Sequence, residues 1–392
     1  MKTDVRRKDL VDALRVVCAV VPKRSNPGLQ WLRMEPRGQG MGQLVLSATG
    51  LDMAIHRSID ADIRTPATAI VVEAKPLYAM VRKVRGEVLT LEADGHNLHV
   101  RSEGAAVSFP LQVIAEYPPL PTFGGPLADV PIAFQVDAGR FQQMIEQTAF
   151  AVATENSRYA IHGVLLEAAS RTVNLVATDR NRIAVATGRA DRDIPKDGFK
   201  PAIVPPAALN LLSKVKLPTD AVVDVDAWPL GEKGRMIGFR SDGVVVIAVV
   251  NDGCFPHYRD VIPSGADKRA ELPVDDLRAA LESVDVATNY ERKGCRFAFR
   301  ENLLTLTVEE GGSAVATARV PIQYRGPAAD IGFNPSYVLD VLKACGADAI
   351  DFAWNAPNRP GLFTVGEPNS VDGYTYVLMP VYVADIPATV AA

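Results

Sequence analysis

Ala177-Thr178-Asp179-Arg180-Asn181-Arg182-Ile183-Ala184 lies near the middle of the chain. Val173-Asn174-Leu175-Val176 runs just before it, and Ala184-Val185-Ala186 follows. Apolar side chains at alternate positions mark strands with one buried face. The polar tetrad between the two runs therefore reads as a short turn joining two strands. Its flanks, Thr178 and Ile183, are expected to offer a hydroxyl and an apolar branch at the surface. Such a rim suits the docking of a peptide better than catalysis.

The same punctuation recurs on both sides. Leu44-Val45-Leu46-Ser47-Ala48-Thr49-Gly50-Leu51-Asp52 precedes it, and Leu304-Thr305-Leu306-Thr307-Val308-Glu309-Glu310-Gly311 follows it. Each offset is about 130 residues, the size of one ordinary domain. Three copies of one unit are expected, over residues 1–125, 126–258 and 259–392, the last with a short C-terminal tail. Pro118, Pro119, Pro121 and Pro126, beside Gly124 and Gly125, read as a linker after the first copy.

A chain of 392 residues exceeds what one core usually supports. An apolar share of 48% with 22% charged residues is that of a globular protein. The formal charge of -4 excludes a uniformly basic nucleic-acid coat and leaves local patches open. The basic start Met1-Lys2-Thr3-Asp4-Val5-Arg6-Arg7-Lys8 lacks the apolar core of a signal peptide, and no apolar run is long enough to span a bilayer. Cys18, Cys254, Cys295 and Cys345 are widely separated, with no Cys-x-x-Cys pair. They are expected to be reduced thiols in a cytoplasmic protein.

Six helices are expected, at intervals of roughly 65 residues, half the longer repeat. They cover Arg6 to Val21, Glu73 to Val84, Asp137 to Ala153, Pro205 to Val215, Pro273 to Val286 and Pro335 to Cys345. In the first, Leu10, Leu14, Val17, Cys18 and Val21 recur at helical spacing. In the third, Asp137 is a candidate N-cap, and Phe141, Met144, Ile145 and Phe150 form the apolar stripe. Few, short helices against many alternating strands predict an α+β fold, with helices on one face of antiparallel sheets. Several polar faces are basic: Arg7, Lys8 and Arg15, with Lys23 and Arg24 at the exit, then Lys75, Arg82 and Lys83. A locally positive face inside an acidic body suits phosphate contacts without sequence readout. Charge turned to water is the ordinary alternative. The helix from Pro273 is acidic, and there the basic charge moves to Arg292 and Lys293.

Motifs of catalysis are sparse. Gly124-Gly125 and Gly311-Gly312 lack the partners of a phosphate-cradling loop. His96 and His99, three apart in an expected strand, face opposite sides and cannot chelate together. His162 with Ser157 and Asp179 would make a hydrolase triad, but no nucleophile-elbow pattern accompanies them. No cofactor or metal is implied.

Four further observations converge on a family. They are Arg158-Tyr159-Ala160-Ile161-His162-Gly163-Val164-Leu165-Leu166-Glu167, the Ala-Thr-Asp stretch quoted first, Phe255-Pro256-His257-Tyr258-Arg259-Asp260-Val261-Ile262-Pro263, and the pair Gly332-Phe333-Asn334-Pro335-Ser336-Tyr337-Val338-Leu339-Asp340-Val341-Leu342 with Tyr376-Val377-Leu378-Met379-Pro380. In this order and spacing the chain resembles, over essentially its whole length, the bacterial DNA polymerase III beta subunit, the sliding clamp.

The resemblance implies a DNA-clamp fold of three similar domains, helices on the inner face of antiparallel sheets, and a head-to-tail homodimeric ring around duplex DNA. It implies a cytoplasmic, nucleoid-associated, non-catalytic processivity factor in DNA replication. Its partners would be the replicative polymerase, the clamp loader and other proteins carrying a clamp-binding peptide, with no membrane. The peptide pocket between domains two and three would use Ile161, Thr178, Arg182, Ile183, Pro256, Val261, Pro360, Leu362, Val377, Met379 and Pro380. DNA contacts would come from Arg24, Lys75, Arg292, Lys293, Asn334 and Tyr337, and the dimer interface from Val107, Phe109, Val286 and Ala287. The chain departs from the family pattern at Arg180 and Asn181, usually glycine and histidine. It departs again at Asp260, often basic, and in the ending Val381-Tyr382-Val383 with its tail Ala384 to Ala392. A specialised or drug-tolerant clamp copy used in repair is the alternative reading of these departures. A hydrolase using His162 and Asp179 is the reading from another class.

Overall fold

The computed structural model describes residues 1–22, 27–65, 68–123, 132–153, 162–196, 198–232, 234–286, 294–310, 314–366 and 372–383. Its α-helices are α1 (Arg7–Val17), α2 (Ala74–Lys83), α3 (Ala138–Thr148), α4 (Pro206–Ser213), α5 (Val274–Asp285) and α6 (Pro335–Ala344). Each lies inside the span expected for it. The first stops four residues early. Cys18 N still bonds Leu14 O, but Ala19 N and Val20 N reach only to Val16 and Val17, a tightening turn that runs into Pro22. The third gives way at Thr148, whose hydroxyl donates to Met144 O at 2.7 Å; a 3-10 turn, Ala149–Ala151, follows. Asp137 does cap α3: its Oδ1 accepts from Arg140 N at 2.7 Å. Of the predicted stripe, Phe141, Met144 and Ile145 are buried, and Phe150 is half-buried.

The chain divides into two units. The first comprises Met1–Gln142, Ala169–Arg171 and Ala190–Asp252. Its hub is the long strand Met53–Thr65. Along one side it pairs with Gly40–Thr49, Leu46 opposite Arg57 and Leu44 opposite Ile59. Its other side is shared. Lys2–Arg6 takes the C-terminal half, and Val244–Val249 takes the N-terminal half, with Val246 opposite Ile55. All these ladders are antiparallel, and the sheet continues from Val244–Val249 through Gly234–Ser241 and Val222–Leu230 to Phe134–Asp137. One backbone ladder thus unites strands from the first and second thirds of the sequence. Helices bury their apolar stripe: Leu10, Ala13, Leu14, Val16 and Val17 in α1, and Ala74, Leu77 and Val81 in α2. Lys8, Arg15, Lys75, Arg82 and Lys83 stay exposed. His96 sits in the turn before the strand Asn97–Ser102, contrary to the expected placement, while His99 lies on that strand and bonds Asp94 and Ser108.

The second unit comprises Gln143–Ala168, Thr172–Arg189 and Gly253–Ala392. One ladder runs from Lys268–Pro273 through Ala349–Trp354, Gly361–Val365 and Tyr374–Leu378 to the strand beginning at Arg182, where Ile183 faces Val377. A second sheet of four strands orders Ala314–Pro321, Leu303–Glu310, Cys295–Arg300 and Ala329–Phe333. Aromatic rings fill the core. Phe299 meets Trp354 at 4.3 Å between centroids, Phe352 meets Phe363 at 4.5 Å, and Phe297 packs on Phe333 at 5.5 Å. Gly361 is required there, since a Cβ would lie 2.6 Å from Phe352 and 2.7 Å from Phe333.

Beyond Leu378 the chain is pinned twice. Met379 N donates to Asn181 O at 2.8 Å, and Val381 N donates to Gly332 O at 2.9 Å. Predicted features at Arg24, the Gly124–Pro126 linker, Ser157, Ile161, Ala287, Arg292, Lys293 and the tail Ala384 to Ala392 lie outside the described residues.

Candidate functional site: an apolar cavity at the hairpin turn

Strands Val164–Thr178 and Arg182–Ile194 meet at the turn Asp179-Arg180-Asn181, as the alternation predicted. The turn is built by its own side chains. Asp179 Oδ1 accepts from Asn181 N at 3.0 Å and from Arg182 N at 3.1 Å, and Thr178 Oγ1 accepts from Arg180 N at 3.3 Å. The Thr178 hydroxyl also donates to Arg182 O at 2.8 Å. Thr178 is 8% exposed and Ile183 is 9%, so the expected surface rim is instead a floor.

A cavity of about 220 Å³ opens against this turn, entirely within the second unit. Ile183 and Val377 form its buried apolar base, while Pro256, Val261 and Met379 stand at its mouth. Thr178 to Arg182 supply the polar side, and Ala153 and Tyr258 complete the lining. The volume is below the roughly 300 Å³ at which drug-sized ligand pockets begin, so it suits one or two apolar anchors of a chain.

Arg182 braces the floor. Its Nε donates to Asp179 Oδ2 at 2.8 Å, one terminal nitrogen to Asp340 Oδ2 at 2.6 Å, and the other to Phe150 O at 3.0 Å. The guanidinium stacks 4.2 Å from the Tyr337 ring and 5.2 Å from Phe150. Burial opposes the charge, but Tyr376, Asp340 and Asp179 outweigh it and hold the Arg182 pKa above its ordinary value. The opposite wall is held by Glu167, which accepts from the Tyr258 hydroxyl at 2.5 Å and pairs with Arg259. Burial, then this bond to Glu167, raises the Tyr258 pKa.

Of the predicted pocket residues, the structure brings together Thr178, Arg182, Ile183, Pro256, Val261, Val377 and Met379. Ile161 lies outside the described residues. Leu362 pairs with Val377 in the sheet without lining the cavity, and Pro360 does not line it either. Pro380 borders a separate groove of about 770 Å³ with Lys268, Asp330 and Val383. The lining by Ala153 and Tyr258, and the struts Asp340 and Glu167, were not singled out from sequence. Asp340 is 158 positions from Arg182, and no local period reports such a pair.

The other predicted contacts are spread more widely. Lys75 is exposed and donates to Pro22 O at 2.9 Å. Asn334 caps α6, accepting from Ser336 N at 3.1 Å, and Tyr337 lies beneath Arg182, so both have structural work. Val107 is 39% exposed and Val286 is 88%, whereas Phe109 is buried in its own unit. The hydrolase reading loses its carboxylate, because Asp179 is engaged by the turn amides and Arg182. His162 Nδ1 lies 3.1 Å from Ala153 O. Among the described residues, no group of three or more His, Cys, Asp or Glu is placed to hold a metal, and no helix is long and apolar enough to cross a membrane.

An α+β fold of antiparallel sheets and short helices, matched along its length by three consecutive family domains, places the chain in the class of DNA sliding clamps. The chain belongs to the DNA polymerase III beta subunit family. The family's N-terminal domain matches residues 1–121, its central domain residues 135–257 and its C-terminal domain residues 259–382. The beta sliding clamp of Pseudomonas aeruginosa is 27% identical over 382 residues, covering 97% of this chain and 99% of the relative. That of Caulobacter vibrioides is 28% identical over 392 residues, covering 98% and 100%. A solved Pseudomonas aeruginosa sliding clamp bound to griselimycin superposes with a TM-score of 0.83 at 25% identity, covering 98% of this chain and 100% of that one.

Proposed function

We propose that the chain is a DNA polymerase processivity factor that acts without catalysis, as a head-to-tail homodimeric ring around duplex DNA. The three modules would be bounded near residues 125 and 258, and rotation would close the ring through unlike surfaces. Exposed Lys75, Arg82 and Lys83 on α2, with Lys8 and Arg15 on α1, supply phosphate contacts that carry no sequence information. Loose contacts of this kind let the ring slide. The cavity at the hairpin turn would hold apolar anchors of the polymerase and the clamp loader, so that tethering raises the local concentration of polymerase at the template. Full-length similarity to beta sliding clamps favours this general role over a specialised repair copy.

The observation that carries the reading is the cavity itself, with Ile183, Val377 and Met379 from separate strands and turns converging on one apolar space. The test is extension of a primed circular template by a bacterial replicative polymerase and clamp loader, with and without this chain. Long products are expected with the native chain. Met379→Asp, which puts a charge at the exposed mouth without touching the core, should return them to the short, clamp-free length. Equal product lengths with both proteins would count against the cavity as the docking site.

A further inference from the structure

A second cavity lies in the first unit, against the segment that follows the strand Ala105–Pro110. It measures about 430 Å³, inside the range of roughly 300–1,000 Å³ typical of small-molecule sites. It stands apart from the hairpin cavity, whose residues all belong to the second unit. One wall is sheet. Arg33, Glu35 and Arg37 share one face of the strand Trp31–Arg37, and Ser47 and His56 come from the strands Gly40–Thr49 and Met53–Thr65. The other wall is the 3-10 turn Ile114–Glu116 and the proline-rich run after it.

Two bonds tie the walls together before any ligand enters. The Tyr117 hydroxyl donates to Ser47 O at 2.9 Å, and His56 Nε2 lies 3.0 Å from Pro121 O. A carbonyl only accepts, so Nε2 carries the imidazole proton, and Nδ1 accepts from Ser47 Oγ. A site built in advance loses less free energy to ordering when it is filled.

The charge in this cavity is unbalanced. Its ionised lining groups are Arg33, Arg37 and Glu35. Both guanidinium groups reach the same oxygen, Glu35 Oε2, at 3.0 Å and 3.2 Å. A guanidinium carries five N–H donors, and each spends one terminal nitrogen on that oxygen. One carboxylate between two cations leaves a net positive charge. His56 adds none while neutral: burial first, then the charges of Arg37 and Arg33, hold its pKa below the ordinary value against the Pro121 bond and Glu35. The rest of the lining is largely apolar, with Pro118, Pro119, Leu120 and Ile114, and Ile114 is left 48% exposed.

We propose that this cavity is a binding site for a small organic anion, a carboxylate borne on an apolar body. The carboxylate completes the pairing of the two guanidinium groups through charge-assisted bonds, and the body covers Ile114 and the prolines. Arg33 is half-buried and Arg37 exposed, so solvent limits the part owed to charge to about three- to fivefold in affinity at low salt.

The probes are naphthoate, its uncharged amide and inorganic phosphate, titrated into the full chain while the His56 ring proton is followed by NMR. His56→Gln assigns that signal. The native protein should bind naphthoate saturably, about three- to fivefold tighter than the amide at about 50 mM salt, and should bind phosphate more weakly than naphthoate. Saturation with naphthoate should raise the His56 pKa, because the carboxylate offsets the field of Arg37 and Arg33. Arg37→Gln should bring naphthoate and the amide to equal affinity, and Ile114→Asn should weaken both alike. Both side chains are exposed, so both variants should melt as the native chain does, which separates loss of binding from loss of fold. Absence of saturable binding, phosphate bound as tightly as naphthoate, a preference for the anion that survives Arg37→Gln, or binding that leaves the His56 titration unmoved would each overturn the proposal.

Discussion

Arg182 shows how much one side chain carries here. All three guanidinium nitrogens have protein acceptors, and the rings of Tyr337 and Phe150 lie close to the guanidinium. Lysine keeps the charge but offers neither the planar fork nor the stacking surface. Arg182→Lys is therefore expected to destabilise the second unit by about 2–4 kcal/mol, because Asp179 and the Phe150 carbonyl lose a buried donor. Urea denaturation followed through the aromatic core would read it, and a variant as stable as the native chain would refute the assignment. The turn around this residue was legible in the sequence, because alternating apolar runs on each side of a polar tetrad admit few other readings. The burial of Thr178 and Ile183 was not. Alternation gives the face of a strand, but it does not report that Met379 and Pro256 will rise around the end of the strand.

At the scale of elements, one histidine ties a strand to a loop. His56, on the strand Met53–Thr65, lies 2.9 Å from Ser47 Oγ through Nδ1 and 3.0 Å from Pro121 O through Nε2. Burial depresses its pKa below the ordinary 6.5, and the charges of Arg37 and Arg33 act in the same direction against the bond to Pro121. A depressed pKa in the folded state means that the unfolded chain takes up the proton first on acidification. The stability owed to neutral His56 is thus fully present above about pH 6.5 and is lost as the pH falls from there through the folded value. Melting curves between about pH 7.5 and pH 5 should show this loss, and His56→Gln should lessen the slope. Identical slopes would exclude His56 as the cause. The six helices were legible as elements because their apolar spacing is regular, but their ends were not. A tightening turn at Ala19 and a hydroxyl bonding backwards at Thr148 ended two of them inside an unbroken apolar pattern.

For the whole molecule, the threefold organisation was readable because each family domain carries its own strands and a pair of short helices at a nearly constant offset. Which edges of those domains pair was not readable. The alternation in Met53–Thr65 fixes its two faces, and nothing in it announces that its free edge will be divided between Lys2–Arg6 and Val244–Val249. Between molecules, the proposed ring requires two copies joined through unlike surfaces. Light scattering should report about twice the chain mass, and a monomer at all concentrations would remove the ring. Val107 and Val286 present apolar area for such a contact, while Phe109 contributes only from within its own core.

The pinning of Met379 to Asn181 and of Val381 to Gly332 has a consequence for synthesis. The walls of the cavity come from residues near 180, near 258 and near 378, and the last of these are translated long after the first. The residues of the hairpin turn are therefore made while two of the cavity's walls are still missing. A product of premature termination before Tyr374 would lack Val377 and Met379, and with them part of the base and part of the mouth of the cavity.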